Sequence, residues 1–224
     1  MNKLLNIYTA PSKVFTSLKE KPKWITPFII VLIVIAIIAA LTVTITRDKI
    51  MVNQEELMRE RGMSEEQIEQ AMKLTAGPIP MISSAIAAAI FIALALLIFA
   101  VVLNLFIPMF GGKGGFKNVF SVVCFSSLIK VPGAILKLIL IAITKSPYVA
   151  TSLALFVPNL AKNSFGYLFL NGIDFFVIWE MILVAIGISI TNDIKKNNAY
   201  ILVFIIWFVS IFIGIGLGRL GPGQ

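Results

Sequence analysis

The chain has 224 residues, of which 58% are hydrophobic and only 13% charged, with a net charge of +8 and a mean hydropathy of +0.96. A soluble domain carries about a quarter charged residues, so this composition excludes a soluble globule and marks an integral membrane protein. Histidine is absent and Cys124 is the one cysteine. That removes His-based acid–base and zinc chemistry, an intrachain disulfide and a cysteine metal cluster.

Residues 1–24 form a basic segment. In "PSKVFTSLKEKPK" (11–23), Val14, Phe15 and Leu18 share one helical face, flanked by Lys13, Lys19, Lys21 and Lys23. Pro11 suits the first position of a helix. A short basic amphipathic helix of this kind is expected to lie in the headgroup layer and attract anionic lipid headgroups, besides fixing topology as a charged flank.

A domain of five transmembrane helices is expected over 25–218. Spanning takes roughly 20 residues of apolar helix, and the runs that meet this lie at about 25–46, 79–108, 117–143, 171–191 and 199–218. The first is too long and uniformly apolar for a signal-peptide core and reads as an uncleaved span. The connection 47–78 reads as helical. Gly62 ends a helix that continues the first span through Leu57 and Met58, and Ser64 with Gln67 makes a capping-box pattern. Ile68, Ala71 and Met72 then form an apolar stripe. Met51, Met58, Met63 and Met72 lie in this connection. Without His or Cys they suit adaptable packing of a helical hairpin better than metal capture.

The second span carries small residues at four-residue spacing, Ser84/Ala88 and Ala85/Ala89, a pattern for close helix packing. "MFGGKGGFKNV" (109–119) follows. A phosphate-binding loop needs G-x-x-x-x-G-K-[ST] between a strand and a helix. Here Lys113 precedes Gly114 and Gly115, with no Ser or Thr after it, so the stretch reads as a cytoplasmic turn.

Charge inside a span is the strongest functional pointer in such a chain. Lys130 and Lys137 lie on one stripe of the third span, with Ser126 one turn before Lys130; Asp174 and Glu180 lie in the fourth. At about 1.5 Å per residue, Lys130 and Glu180 both fall near mid-membrane, and Lys137 and Asp174 in the outer third. Two cross-helix pairs are therefore expected. They cannot align equally, because six residues turn a helix by about 240°, and Lys137 has the alternative of snorkelling to the interface. The pair Lys130/Glu180 reads either as a site for an ion, proton or headgroup, or as a buried pair fixing helix register. Pro132 and Gly133 predict a kink beside it. The last span ends in Gly214-Ile-Gly-Leu-Gly218, a GxxxG surface for bundle packing or for a homodimer.

Lys and Arg on the connections set the orientation. Lys3, Lys13, Lys19, Lys21 and Lys23 precede the first span; Lys113 and Lys117 sit on the second turn, Lys195 and Lys196 on the last, and Lys145 and Lys162 on the long segment 144–170. The dense connections fall on one side when the N-terminus is cytoplasmic and the C-terminus, with Arg219, outside. Lysines spread over short connections give no single basic face for nucleic acid.

Three stretches carry a family resemblance. "GGKGGFKNVFSVVCFSSLIKVPGAIL" (111–136) resembles the loop and third span of the Yip1 domain family; "DFFVIWEMILVAIGISITNDIKKNNAYILVFI" (174–205) resembles its penultimate hairpin; "IYTAPSKVFTSLKEKPKWITPFII" (7–30) resembles its entry. The resemblance implies a five-span bundle with a cytosolic N-terminus. Eukaryotic members sit in early secretory membranes and engage Rab-type GTPases. The Ile- and Lys-rich form of this chain looks prokaryotic, so that binding is not carried over. The expected function is that of a non-enzymatic, multi-pass protein of the cell membrane, organising protein partners or lipids. A small transporter or lipid-handling protein using Lys130/Glu180 is the alternative. No catalytic residue, metal or cofactor is read from the sequence.

Overall fold

In a computed structural model, residues 3–75, 77–146 and 149–220 are described. They are helical apart from the connections, the longest of them between α7 and α8: α1 (Lys3–Thr9), α2 (Pro11–Glu20), α3 (Ile25–Glu60), α4 (Glu65–Thr75), α5 (Ile79–Phe106), α6 (Phe116–Ser126), α7 (Lys130–Thr144), α8 (Phe165–Asn171), α9 (Phe175–Thr191) and α10 (Lys196–Leu220). Among the described residues, four stretches are long and apolar enough to cross a membrane: Ile25–Glu60, Ile79–Phe110, Phe116–Thr144 and Lys196–Gly218. The expected fourth span, 171–191, is shorter than read. Asp174 caps its N-terminus, and the apolar helix that follows, Phe175–Thr191, has 17 residues.

The described residues fall into two compact units. The first takes those among 1–31, 93–133 and 150–224. Its centre is α6, in which every residue from Val119 to Ser126 is buried, and α9, which packs against α2, α6 and α10. The approach of α6 to α9 depends on Gly187. A Cβ there would lie 2.3 Å from Val122 Cγ1 and 3.1 Å from Phe15 Cε1. The apolar stripe of α2, expected to lie in the headgroup layer, is instead covered by protein. Val14, Phe15 and Leu18 are buried against α9 and α6, while Lys13 and Lys19 remain exposed on the other side of the helix. An apolar stripe is satisfied by a neighbouring helix as well as by acyl chains, and here the helix takes it.

The second unit takes the described residues among 32–92 and 134–149. Helix α3 runs on past its apolar part to Glu60, and Gly62 turns the chain at φ +74°, a left-handed conformation that glycine takes without strain. Helix α4 then opens on the expected capping box. Ser64 N donates to Gln67 Oε1 (3.0 Å) and Gln67 N to Ser64 Oγ (3.3 Å). Arg59 reaches Glu55 at 3.0 Å on its own helix and also Glu65 on α4, which ties the hairpin together. Ile68 is buried, and the four methionines are half-buried.

Candidate functional site

The third span is interrupted where proline is expected to interrupt it. Pro132 has no N–H, so the carbonyl four residues back, that of Leu128, loses its helical donor. Residues Ser127–Ile129 tighten into a 3-10 turn between α6 and α7. The freed acceptor is taken by a residue 120 positions earlier in the sequence. Tyr8 Oη donates to Leu128 O at 2.7 Å. The Tyr8 ring meets Trp179 of α9 edge to face, with centroids 6.5 Å apart. Gly133 brings α9 against the same break, since a Cβ there would lie 2.5 Å from the Phe176 ring.

Lys130 opens α7 at this break, and its Nζ lies 2.8 Å from Glu180 Oε2 of α9. Glu180 is 1% exposed and Lys130 27%. Oε2 has no hydrogen bond of proper geometry, so at this distance the contact is a charge pair set off the hydrogen-bond angle. Ser126 Oγ, one turn before Lys130, is buried without a hydrogen-bond partner. Two opposite charges in a low-dielectric interior neutralise one another, and losing either strands the other. The first expected pair therefore forms.

Of the second expected pair, Asp174 belongs to the first unit and Lys137 to the second. Asp174 accepts from Phe176 N (2.8 Å), Val177 N (3.4 Å) and Thr151 Oγ1 (2.6 Å). The first N–H groups of a helix have no partner within it, and a carboxylate there also meets the favourable end of the helix dipole. Capping thus occupies Asp174, while Lys137 is exposed on α7. Neither belongs to an ion pair among the described residues. Ser84 donates to Met81 O on its own helix (2.8 Å), with Ala88 half-buried. Gly214 and Gly218 meet nothing: a Cβ on either would have no atom within 4 Å. They line an open groove of about 520 Å³ with Leu168, Asn171, Ile211 and Ile215.

A second polar constellation holds the glycine-rich turn, and sequence reading missed it. Lys113 N donates to Asn192 O (2.7 Å), and Asn192 Nδ2 donates back to Lys113 O (2.8 Å). Asn198 Nδ2 donates to Phe110 O (3.1 Å), and Asn104 Oδ1 accepts from Gly115 N (3.0 Å). Gly111 turns the chain at φ +80°. On the flank, Lys19 Nζ lies 2.5 Å from Asp193 Oδ1, and Asn118 Nδ2 donates to Lys19 O at 3.4 Å. The bonded Lys19 ammonium, with Lys113 beyond it, holds the Asp193 carboxyl below the usual carboxylate range. The available signal was the placing of asparagines at the ends of apolar runs, where an amide can bond a loop carbonyl.

Comparison with known proteins agrees with this architecture. The chain is 29% identical to the membrane protein YknW of Bacillus subtilis (strain 168) over 222 residues, covering 96% of this chain and 89% of that one. No solved structure matches it. The Yip1 domain matches residues 5–218, from α1 to the end of α10, and the chain belongs to the Yip1 domain family.

Proposed function

We propose that this protein is a non-enzymatic organiser of protein partners or lipids in the bacterial cell membrane, crossing it five times with a cytoplasmic N-terminus and an outer C-terminus. The observation that carries the reading is the closed state of the Lys130–Glu180 pair. Glu180 is 1% exposed with the ammonium 2.8 Å away, and Tyr8 fills the one acceptor freed by Pro132. The charge pair and the Tyr8 hydroxyl are spent on holding helices together, as a scaffold requires. Helix α9, at about 25 Å for its 17 residues, is nearly the thickness of the hydrocarbon core, and a fifth crossing accounts for the lysine-dense connections lying on one side. The open glycine face of α10 suits a second copy as one such partner.

The unpartnered Ser126 Oγ and the 27% exposure of Lys130 favour a second reading, a solute- or lipid-handling site. Photo-crosslinking in native membranes, run beside solute-flux and lipid-scrambling assays in liposomes, separates the two. Discrete crosslinked partners without flux are expected. Substrate-dependent flux abolished by Glu180→Gln would overturn the scaffold. For topology, in a Cys124→Ala background, Lys113→Cys and Lys195→Cys should react from the cytoplasmic side only and Asn163→Cys from outside only.

A further inference from the structure

Three stretches far apart in sequence meet at one end of the first unit: the end of α2, the glycine-rich turn and the α9–α10 turn. They bring together Lys19, Lys21, Lys23, Lys113, Lys117, Lys195 and Lys196, all exposed, against the carboxylates of Glu20 and Asp193. The backbone under them is fixed. Lys113 is clamped to Asn192 in both directions, and Asn118 holds the Lys19 carbonyl. Within this field one anion is already seated. Asp193 Oδ1 lies against Lys19 Nζ, with both side chains nearly half exposed. Asp193 takes a left-handed conformation, φ +54°, to reach that position, which non-glycine residues other than Asn and Asp seldom adopt.

An aromatic cluster adjoins the lysines. Phe120 is stacked on Phe116 at 5.6 Å and touches Trp24 at 5.2 Å and Phe28 at 5.6 Å. Trp24 follows Lys23, and Phe116, 39% exposed, precedes Lys117. Aromatic rings beside lysines at the ends of apolar helices mark the membrane–water interface, so an anion reaching these ammonium groups from the bilayer is a lipid phosphate.

We infer that this end of the protein is a binding site for the phosphate of anionic phospholipids, with Lys113, Lys117, Lys195 and Lys196 as ligands and Asp193 as a built-in competitor for the seat beside Lys19. The attraction comes from a pre-shaped cationic surface; insertion of α2 plays no part, because its apolar face is covered. The inference rests on the reading that the lysine-dense connections face the cytoplasmic leaflet.

The test is native mass spectrometry of the full chain in detergent, offered phosphatidylglycerol and phosphatidylcholine of identical acyl chains in equal amounts. Preferential retention of phosphatidylglycerol is expected. Lys113→Gln and Lys195→Gln should each lower the preference about fivefold, the change that roughly 1 kcal/mol per basic residue at an anionic surface corresponds to. Asp193→Asn tolerates the same backbone and should raise it. These are exposed side chains, and the main chain of Lys113, not its ammonium, makes the clamp. Equal retention of the two lipids, or a preference unchanged in the variants, would overturn the site. Displacement of phosphatidylglycerol by an equal concentration of glycerol phosphate would reassign it to soluble anions and overturn the lipid assignment. Absence of crosslinked protein partners would leave this lipid preference standing, so the two proposals fail separately.

Discussion

The first and third spans differ in a way opposite to a naive hydropathy ranking. The most apolar 18-residue window of Ile25–Glu60 has a mean hydropathy of 3.2 and is 6% buried within the protein; that of Phe116–Thr144 reaches only 1.9 and is 67% buried. In water the greasier helix would be the core. In a bilayer, acyl chains are as apolar as leucine, so hydropathy selects the lipid-facing helix and the interior goes to helices with small and polar groups. Ile25, Ile29, Ile33, Ile37 and Leu41 make an exposed stripe at four-residue spacing along α3. The third span buries Ser121, Cys124, Ser126 and Ser127.

That contrast is broken most forcefully at Glu180. Glu180→Ala strands Lys130 beside the buried face of α9, and a loss of about 3–5 kcal/mol is expected, read as a lowered midpoint of unfolding in detergent. The double variant Lys130→Met/Glu180→Leu should recover most of it, and a double variant no better than the single would sink direct pairing. Next comes shape. Gly187→Leu forces a side chain into Val122 and Phe15 and should cost at least about 1–3 kcal/mol, whereas Gly214→Leu, facing open space, should leave the same midpoint unchanged. Tyr8→Phe removes the donor to Leu128 O and should cost about 1 kcal/mol. On the lipid-facing helix, Ile37→Ala should stay within about 0.5 kcal/mol; a loss matching that of Gly187→Leu would show that α3 is protein-covered after all.

The smallest effect is a pH dependence. Asp193 has a folded pKa below its ordinary value because Lys19 bonds its charged form. A depressed carboxylate contributes stability above the unfolded pKa, about 3.9, and loses it as pH falls through the lower folded value. The difference in unfolding midpoint between the wild type and Asp193→Asn should therefore be constant from pH 7 to about 5 and vanish in stronger acid. Both partners are solvent-exposed, so added salt should shrink it at any pH.

Sequence carried four of the five expected spans, because apolar length is a one-dimensional property. It also carried the Ser64/Gln67 capping box and the turn at Gly62, which depend on residues within a few positions. The Lys130–Glu180 pair was legible from depth alone. What escaped depends on identity of the neighbour. The stripe Val14, Phe15 and Leu18 reads the same whether lipid or α9 covers it. Asp174 carries the same charge whether it meets a lysine or, as here, the backbone N–H groups of Phe176 and Val177. Tyr8 gave no signal at all, since its acceptor, Leu128, stands 120 residues away.

That separation has a consequence for biosynthesis. Residues 3–20 are made long before the residues they meet, Leu128, Gly187 and Asp193. At about 5–20 residues per second, the 174 residues from Lys19 to Asp193 take roughly 9–35 s to add. Until α9 is made, the stripe of α2 lacks the helix that covers most of it, although the first span has already emerged. Docking of the N-terminal segment is therefore among the last steps of assembly, and it closes only once the α9–α10 turn has been made. The Lys19–Asp193 pair thus reports whether this docking is complete, and a chain stopped before α9 would display an α2 stripe that the finished protein conceals.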